Sequence, residues 1–260
     1  MKGRLPFFSI LLVLATALII DLRFKKWENR DSVIEWDIHS YYAFLPAEFI
    51  YNDLKLEKSN YNDGPYFYFW PTTLENGKKV VKTTMGLAVM YAPFFFAAHA
   101  VAHLFHYPAN GFSEPYKLFL VLSALFYLFI GLNYLKKVLH LYHFSDLTIA
   151  LTILLIGTGT NLLYYSSICA PMPHVYNFCL FSIFLYYTIR WHENHSTRIM
   201  LFLGFLLGLI SLIRPTNIIV LLFFAFYKTS RLSEIKARFL LFKKEMFQIN
   251  LLFQIGRAHV

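Results

Sequence analysis

Apolar stretches separated by short polar turns organise this chain. The first, residues 7–20, follows Lys2 and Arg4. Later stretches cover 116–135, 147–163, 174–189, 199–213 and 218–227. A helix needs about 20 apolar residues to cross a bilayer. The pattern therefore predicts an all-α, polytopic transmembrane helical bundle of about six spans. Ala15-Thr16-Ala17 resembles a signal-peptide cleavage site. The long apolar runs that follow point instead to an uncleaved first helix with a cytoplasmic N-terminus. The last two stretches are short and broken by Arg214-Pro215, the pattern of a helical hairpin.

Residues 85–105 decide the topology. They are apolar enough to span, yet contain Pro93, His99 and His103. If they span, the turns with Lys136, Lys137, Arg190 and Arg198 and the basic tail 228–244 face outward. If they lie in the interface or re-enter, those basic turns all face the cytoplasm beside the N-terminus. Basic loops stay inside, so the interfacial reading is expected. Residues 21–115 then form one long outer loop with juxtamembrane helices, which holds 11 of the chain's 15 acidic residues. Connectors run to only about 4–6 residues, so a loop of this length carries a task. Tyr61, Tyr66, Phe67, Tyr68, Phe69 and Trp70 suit a surface lying on headgroups, and Pro65 and Pro71 argue against a continuous helix there.

Composition supports the membrane class. The 260 residues are 57% hydrophobic, 19% aromatic and 15% charged, against about 25% charged in soluble domains. The net charge of +9 falls in turns between apolar runs, so no nucleic-acid partner is expected. Cys169 and Cys179 lack CxxC spacing and read as structural. No Walker loop, GxGxxG, HExxH or GxSxG occurs. His99, His103 and His106 have helical spacing, but beside Ala98 and Ala102 they read as packing.

Four places carry candidate chemistry. Asp31, Glu35 and Asp37 run into Trp36-Asp37-Ile38-His39-Ser40-Tyr41-Tyr42-Ala43-Phe44-Leu45-Pro46. Asp37, Tyr41 and Phe44 share one helical face at i, i+4 and i+7. A carboxylate beside aromatic rings suits a sugar, with Trp36, Tyr41 and Tyr42 as stacking partners and Asp37 as proton acceptor; a solvated acid with aromatic anchors is the plainer alternative. Arg214 interrupts an apolar run, which is costly at membrane depth, and a guanidinium grips phosphate with two bonds. It is also explained by a snorkelling side chain. His174, in Pro171-Met172-Pro173-His174-Val175-Tyr176, sits at the mouth of a span, with a structural role as its simpler reading. Lys82 serves either an anionic donor or interface anchoring.

The organisation resembles the GT-C class of membrane glycosyltransferases. The runs from Trp36 to Pro46, Asn110-Gly111-Phe112-Ser113-Glu114-Pro115-Tyr116, Met172-Pro173-His174-Val175-Tyr176 and Arg214-Pro215-Thr216-Asn217 look like uncharacterised Bacteroidetes-type members. Protein O-mannosyltransferases and the aminoarabinose transferase of lipid A belong to this class. The resemblance implies a polyprenyl-phosphate-sugar donor, a glycan, lipid or protein acceptor, and transfer on the outer face of a bacterial inner membrane. It implies that Asp37 is the general base; from their own chemistry, Arg214 and Lys82 are expected at the leaving phosphate. Residues 168–176 lack the acid of many such enzymes, so a divalent metal is doubtful and His174 takes that place. No strong nucleophile is evident, so single-step inversion is expected. The alternative is a non-enzymatic transporter or flippase of lipid-linked glycan.

Residues 1–227 are read as the membrane module and 228–254 as a cytoplasmic basic amphipathic segment. The final Ile255-Gly256-Arg257-Ala258-His259-Val260 resembles a translated sequencing adapter. A native segment ending near Gln254, with further spans lost, is the expectation.

Overall fold

The computed structural model describes residues 3–29, 32–55, 72–81, 83–229 and 240. Within them the chain is mostly helical. Its helices are α1 (Arg4–Phe24), α2 (Trp36–Tyr42), α3 (Phe44–Phe49), α4 (Gly86–Leu104), α5 (Glu114–Leu141), α6 (Asp146–Gly159), α7 (Asn161–Ser166), α8 (Pro173–Asn194), α9 (Thr197–Ile213) and α10 (Leu221–Phe226). Short 3₁₀ turns cover Lys26–Glu28 and Pro215–Val220. A two-residue hairpin pairs β1 (Thr72–Thr73) with β2 (Lys79–Val80), Thr72 opposite Val80.

Local chemistry sets the boundaries. Pro115 and Pro173 open α5 and α8, where a missing N–H costs nothing. Ser145 caps α6 by accepting from Thr148 N–H, and Thr160 caps α7 by accepting from Leu162 N–H. Thr160 is extended, so the run expected at 147–163 divides into two helices at Gly159-Thr160. α9 ends before Pro215, which disfavours helical geometry in the residue ahead of it.

Three helices are long and apolar enough to cross a membrane: α1 with its following turn, α4 and α5. Outward side chains on these and the neighbouring helices are large and apolar. Phe8, Ile19 and Leu22 on α1, Leu155 on α6 and Phe205 on α9 are exposed, while Ser123, Ser166, Ser182 and Thr188 are buried. That inversion of a water-soluble surface is compatible with bilayer contact.

α5 and α8 form the central pair and run parallel. Ser123 is hydrogen-bonded to Tyr176, Gly131 lies against Phe178, and Val138 clusters with Ile189. α9 returns antiparallel to α8, with Tyr187 against Phe202 and Asn177 bonded to Asn217. The starts of α5 and α8 and the end of α9 therefore share one end of the bundle.

Both ends of α4 meet that same end. Gly86 packs on Leu212 and Ile213 at the close of α9. His99, near the other end, bonds Tyr116 at the start of α5. α4 runs unbroken through Pro93 and buries Leu87, Tyr91, Phe95, Ala98 and Ala102, one stripe at i+3 and i+4 spacing. α2 and α3 pack on this helix: Tyr42 lies against Tyr91 and Phe95, and Phe49 against Phe96.

Candidate functional site

The end of α9 builds the site. Arg214 is extended (φ −148°, ψ 121°) and the chain then tightens into the 3₁₀ turn. Asn217 fastens that turn to α8: its side-chain amide donates to Asn177 Oδ1 at 3.0 Å, and its N–H donates to Arg214 O at 2.9 Å. Arg214 is left half-buried. Its Nε donates to the Tyr41 hydroxyl at 3.3 Å. Its terminal nitrogens make no hydrogen bond or ion pair with the described residues. This is a guanidinium fork fixed at its root and open at its tips.

His174 stands in the first turn of α8 and feels the Arg214 charge. Its ring stacks on Tyr165 of α7, centroids 3.7 Å apart and planes at 16°. α8 opens with Pro173 and has no side-chain cap, so its first N–H groups and the positive end of its dipole remain available. A half-buried fork, a helix N-terminus and a positioned imidazole together make a corner that suits an anion.

α2 brings the carboxylate. Ala43 stays helical between α2 and α3, so Asp37, Tyr41 and Phe44 do share a face, as expected. Tyr41 is buried and meets Arg214, so it offers no stacking face to a sugar, whereas Asp37 is exposed and forms no ion pair with Arg214. The carboxylate at the rim thus stays unneutralised one helical turn from the tyrosine that holds the guanidinium. Trp36 is 83% exposed with φ +50°, a backbone region uncommon for a bulky residue.

Tyr42 requires a correction. Its side chain is fully buried and its hydroxyl donates to Gly111 O at 2.6 Å, so it anchors the α5 approach and has no surface for a sugar. Adjacent helical residues point about 100° apart, and burying Tyr41 towards Arg214 turns Tyr42 into the core. The Asn110 motif completes the anchor: Asn110 Oδ1 accepts from the N–H groups of Phe112 and Ser113, and Asn110 O accepts from the Tyr51 hydroxyl at 2.8 Å.

His39, on the same helix, stacks on Phe112. Burial pushes its pKa from the ordinary 6.5 down to about 4. The unfolded chain takes this proton near pH 6.5 and the folded chain near pH 4, so acidification through that window favours unfolding. Thermal denaturation in detergent is expected to show Tm falling between pH 7 and 4.5, with a shallower fall in His39→Gln. Parallel pH profiles would contradict this.

Close contacts brace the corner from α4. Thr84 Oγ1 donates to Ile213 O at 3.2 Å and also to Leu212 O. A Cβ on Gly86 would lie 2.4 Å from Leu212 C and 2.5 Å from Ile213 N, and backbone cannot yield as a flexible side chain can. Gly86→Val is expected to lower stability by about 1–3 kcal/mol and to displace Arg214. A thermal shift combined with loss of anion binding checks it; unchanged values for both would contradict it. Tyr91 reaches the loop ahead of α8 by donating to Pro171 O, and Lys26 Nζ donates to Ile168 O at 2.7 Å. Under this loop Asp21 is buried with Oδ2 unpartnered, facing a small cleft with Lys26, Ser167 and Ile168.

The structure thus brings together Tyr41, Arg214 and His174, from α2, the end of α9 and the start of α8. Lys82, Asp31, residues 61–70 and most of 228–260 lie outside the described residues. Sequence reasoning missed Tyr165, Thr84, Gly86 and Asn177. Asn217 carried a signal as the close of Arg214-Pro215-Thr216-Asn217, and Thr84 and Gly86 as part of Lys82-Thr83-Thr84-Met85-Gly86. Among the described residues no three His, Cys, Asp or Glu side chains converge on one point. Compared with known proteins, the chain matches no family model, no curated protein and no solved structure.

Proposed function

We propose that this chain is a GT-C-like membrane glycosyltransferase that moves a sugar from a polyprenyl-phosphate donor to an acceptor hydroxyl. The observation that carries the reading is the Arg214 fork, held by Tyr41 from the helix that bears Asp37 and close enough to His174, in the first turn of α8, for their charges to interact. The fork and the α8 N-terminus take the donor phosphate. Asp37 removes the proton from the acceptor hydroxyl, whose oxygen attacks the anomeric carbon. The bond from that carbon to the phosphate oxygen breaks, and polyprenyl phosphate departs with its charge against Arg214. One displacement inverts the anomeric centre.

The bundle in this reading is a GT-C-like membrane module of about six spans. α1, α5, α6 with α7, α8, α9 and the hairpin segment after Pro215 cross or enter the bilayer, and α4 lies juxtamembrane. The return of both α4 ends to one end of the bundle supports that place for α4. The basic turns then face the cytoplasm with the N-terminus, and the Arg214 corner faces the periplasm of a bacterial inner membrane.

The direct test is binding of undecaprenyl phosphate against its alcohol, undecaprenol, to purified protein in detergent. Saturable binding of the phosphate and none of the alcohol is expected. Equal binding of both would remove the phosphate from the assignment.

A further inference from the structure

A second polar site lies at the other end of α4. His99 and His103 are one turn apart, and their Nε2 atoms are hydrogen-bonded to each other at 3.2 Å. Their rings stand edge to face, centroids 4.6 Å apart and planes at 86°. Two imidazole nitrogens bound to one tetrahedral zinc at about 2.0–2.1 Å must themselves lie about 3.3 Å apart. The pair is already set at nearly that span.

The other nitrogen of His99 is also arranged. Nδ1 is hydrogen-bonded to the Tyr116 hydroxyl, and Tyr116 is fully buried. In the tautomer whose Nδ1–H donates to the phenol oxygen, the Nε2 lone pair faces His103, and this is the tautomer that a metal selects. A partner on the distal nitrogen that fixes tautomer and ring orientation is what supports a metal-bound histidine. The His99 ring is further held by stacking on Phe95 at 13°. His103 is exposed and His99 half-buried, so an ion reaches the pair from outside. The pair lies 13 residues along α4 from Gly86, about 20 Å at 1.5 Å per residue, and is thus separate from the Arg214 corner.

We propose that His99 and His103 form a two-imidazole chelate for a divalent transition metal of the zinc, copper and nickel group, with Tyr116 as its supporting partner. Imidazole suits these ions and not magnesium or calcium. Two protein ligands leave the remaining positions to water or an external ligand, so the site is open. Metal binding clamps the last turn of α4 beside the start of α5.

The experiment is calorimetric titration of Zn²⁺ into metal-stripped, detergent-purified full chain. One ion per chain is expected. His103→Ala, at an exposed position with little packing to lose, abolishes binding while leaving the metal-free Tm unchanged, and His99→Gln abolishes it as well. Tyr116→Phe keeps the stoichiometry and weakens affinity roughly 10- to 100-fold. His106→Ala binds as the parent chain does. Absence of saturable binding by the parent chain, retained stoichiometry in His103→Ala, or loss in His106→Ala would each overturn the assignment.

Discussion

Arg214→Ala is expected to weaken undecaprenyl phosphate binding roughly 10- to 100-fold. A hydrogen bond to a charged group contributes about 1.5–3 kcal/mol, and each 1.4 kcal/mol is about a factor of ten in affinity. The guanidinium is half-buried and its terminal nitrogens are uncommitted, so its removal leaves the phosphate only the N–H groups at the start of α8. Arg214→Lys retains the charge without the planar fork and recovers only part of the loss. Tyr41→Phe removes the bond that fixes Nε and weakens binding less than Arg214→Ala, because the charge itself remains. Titration of the lipid phosphate into each variant orders the three. An Arg214→Ala variant that binds like the parent chain would remove the anion site from the account.

Asp37→Asn is expected to lower the rate of sugar transfer by about 10²- to 10⁴-fold, the usual contribution of a positioned general base. Donor affinity is expected to stay unchanged, because the exposed carboxylate forms no ion pair with Arg214. The substitution is isosteric, so the melting temperature holds. This split between rate and binding separates a base from a residue that merely shapes the site. A fall in donor affinity equal to the fall in rate would assign Asp37 to binding instead.

The mostly helical fold and its long apolar helices were legible because apolar runs and their punctuation are local properties. Pro115, Pro173 and Pro215 mark where α5 and α8 begin and α9 ends, and each is visible without tertiary information. The division of 147–163 was less visible. Gly159-Thr160 sits inside an apolar run, and only the Thr160 cap on α7 makes it a break. The two ends of α4 were beyond reach for another reason. Hydropathy reports length and polarity, whereas the placement of α4 follows from the contact of Gly86 with α9 and of His99 with Tyr116.

The site shows the same division. Arg214 was conspicuous as a charge in an apolar run, and Asp37 as an acid in an aromatic motif. Their connection runs through Tyr41, a contact across 173 residues that no spacing encodes. Tyr41 and Tyr42 look equivalent in sequence; docking of α2 onto α4 and the Asn110 motif sends one to the guanidinium and the other into the core. His174 was visible as a lone histidine, but its partner Tyr165 comes from a separate helix.

One measurement bears most directly on transfer. Proteoliposomes holding the chain are given polyprenyl-phosphate sugars and a bacterial envelope extract, and free polyprenyl phosphate and sugar-modified acceptor are followed by mass spectrometry. Equimolar release of polyprenyl phosphate and modified acceptor is expected from the parent chain, and neither from Asp37→Asn. Donor carried intact across the bilayer by the parent chain, or equal product from Asp37→Asn, would contradict this expectation.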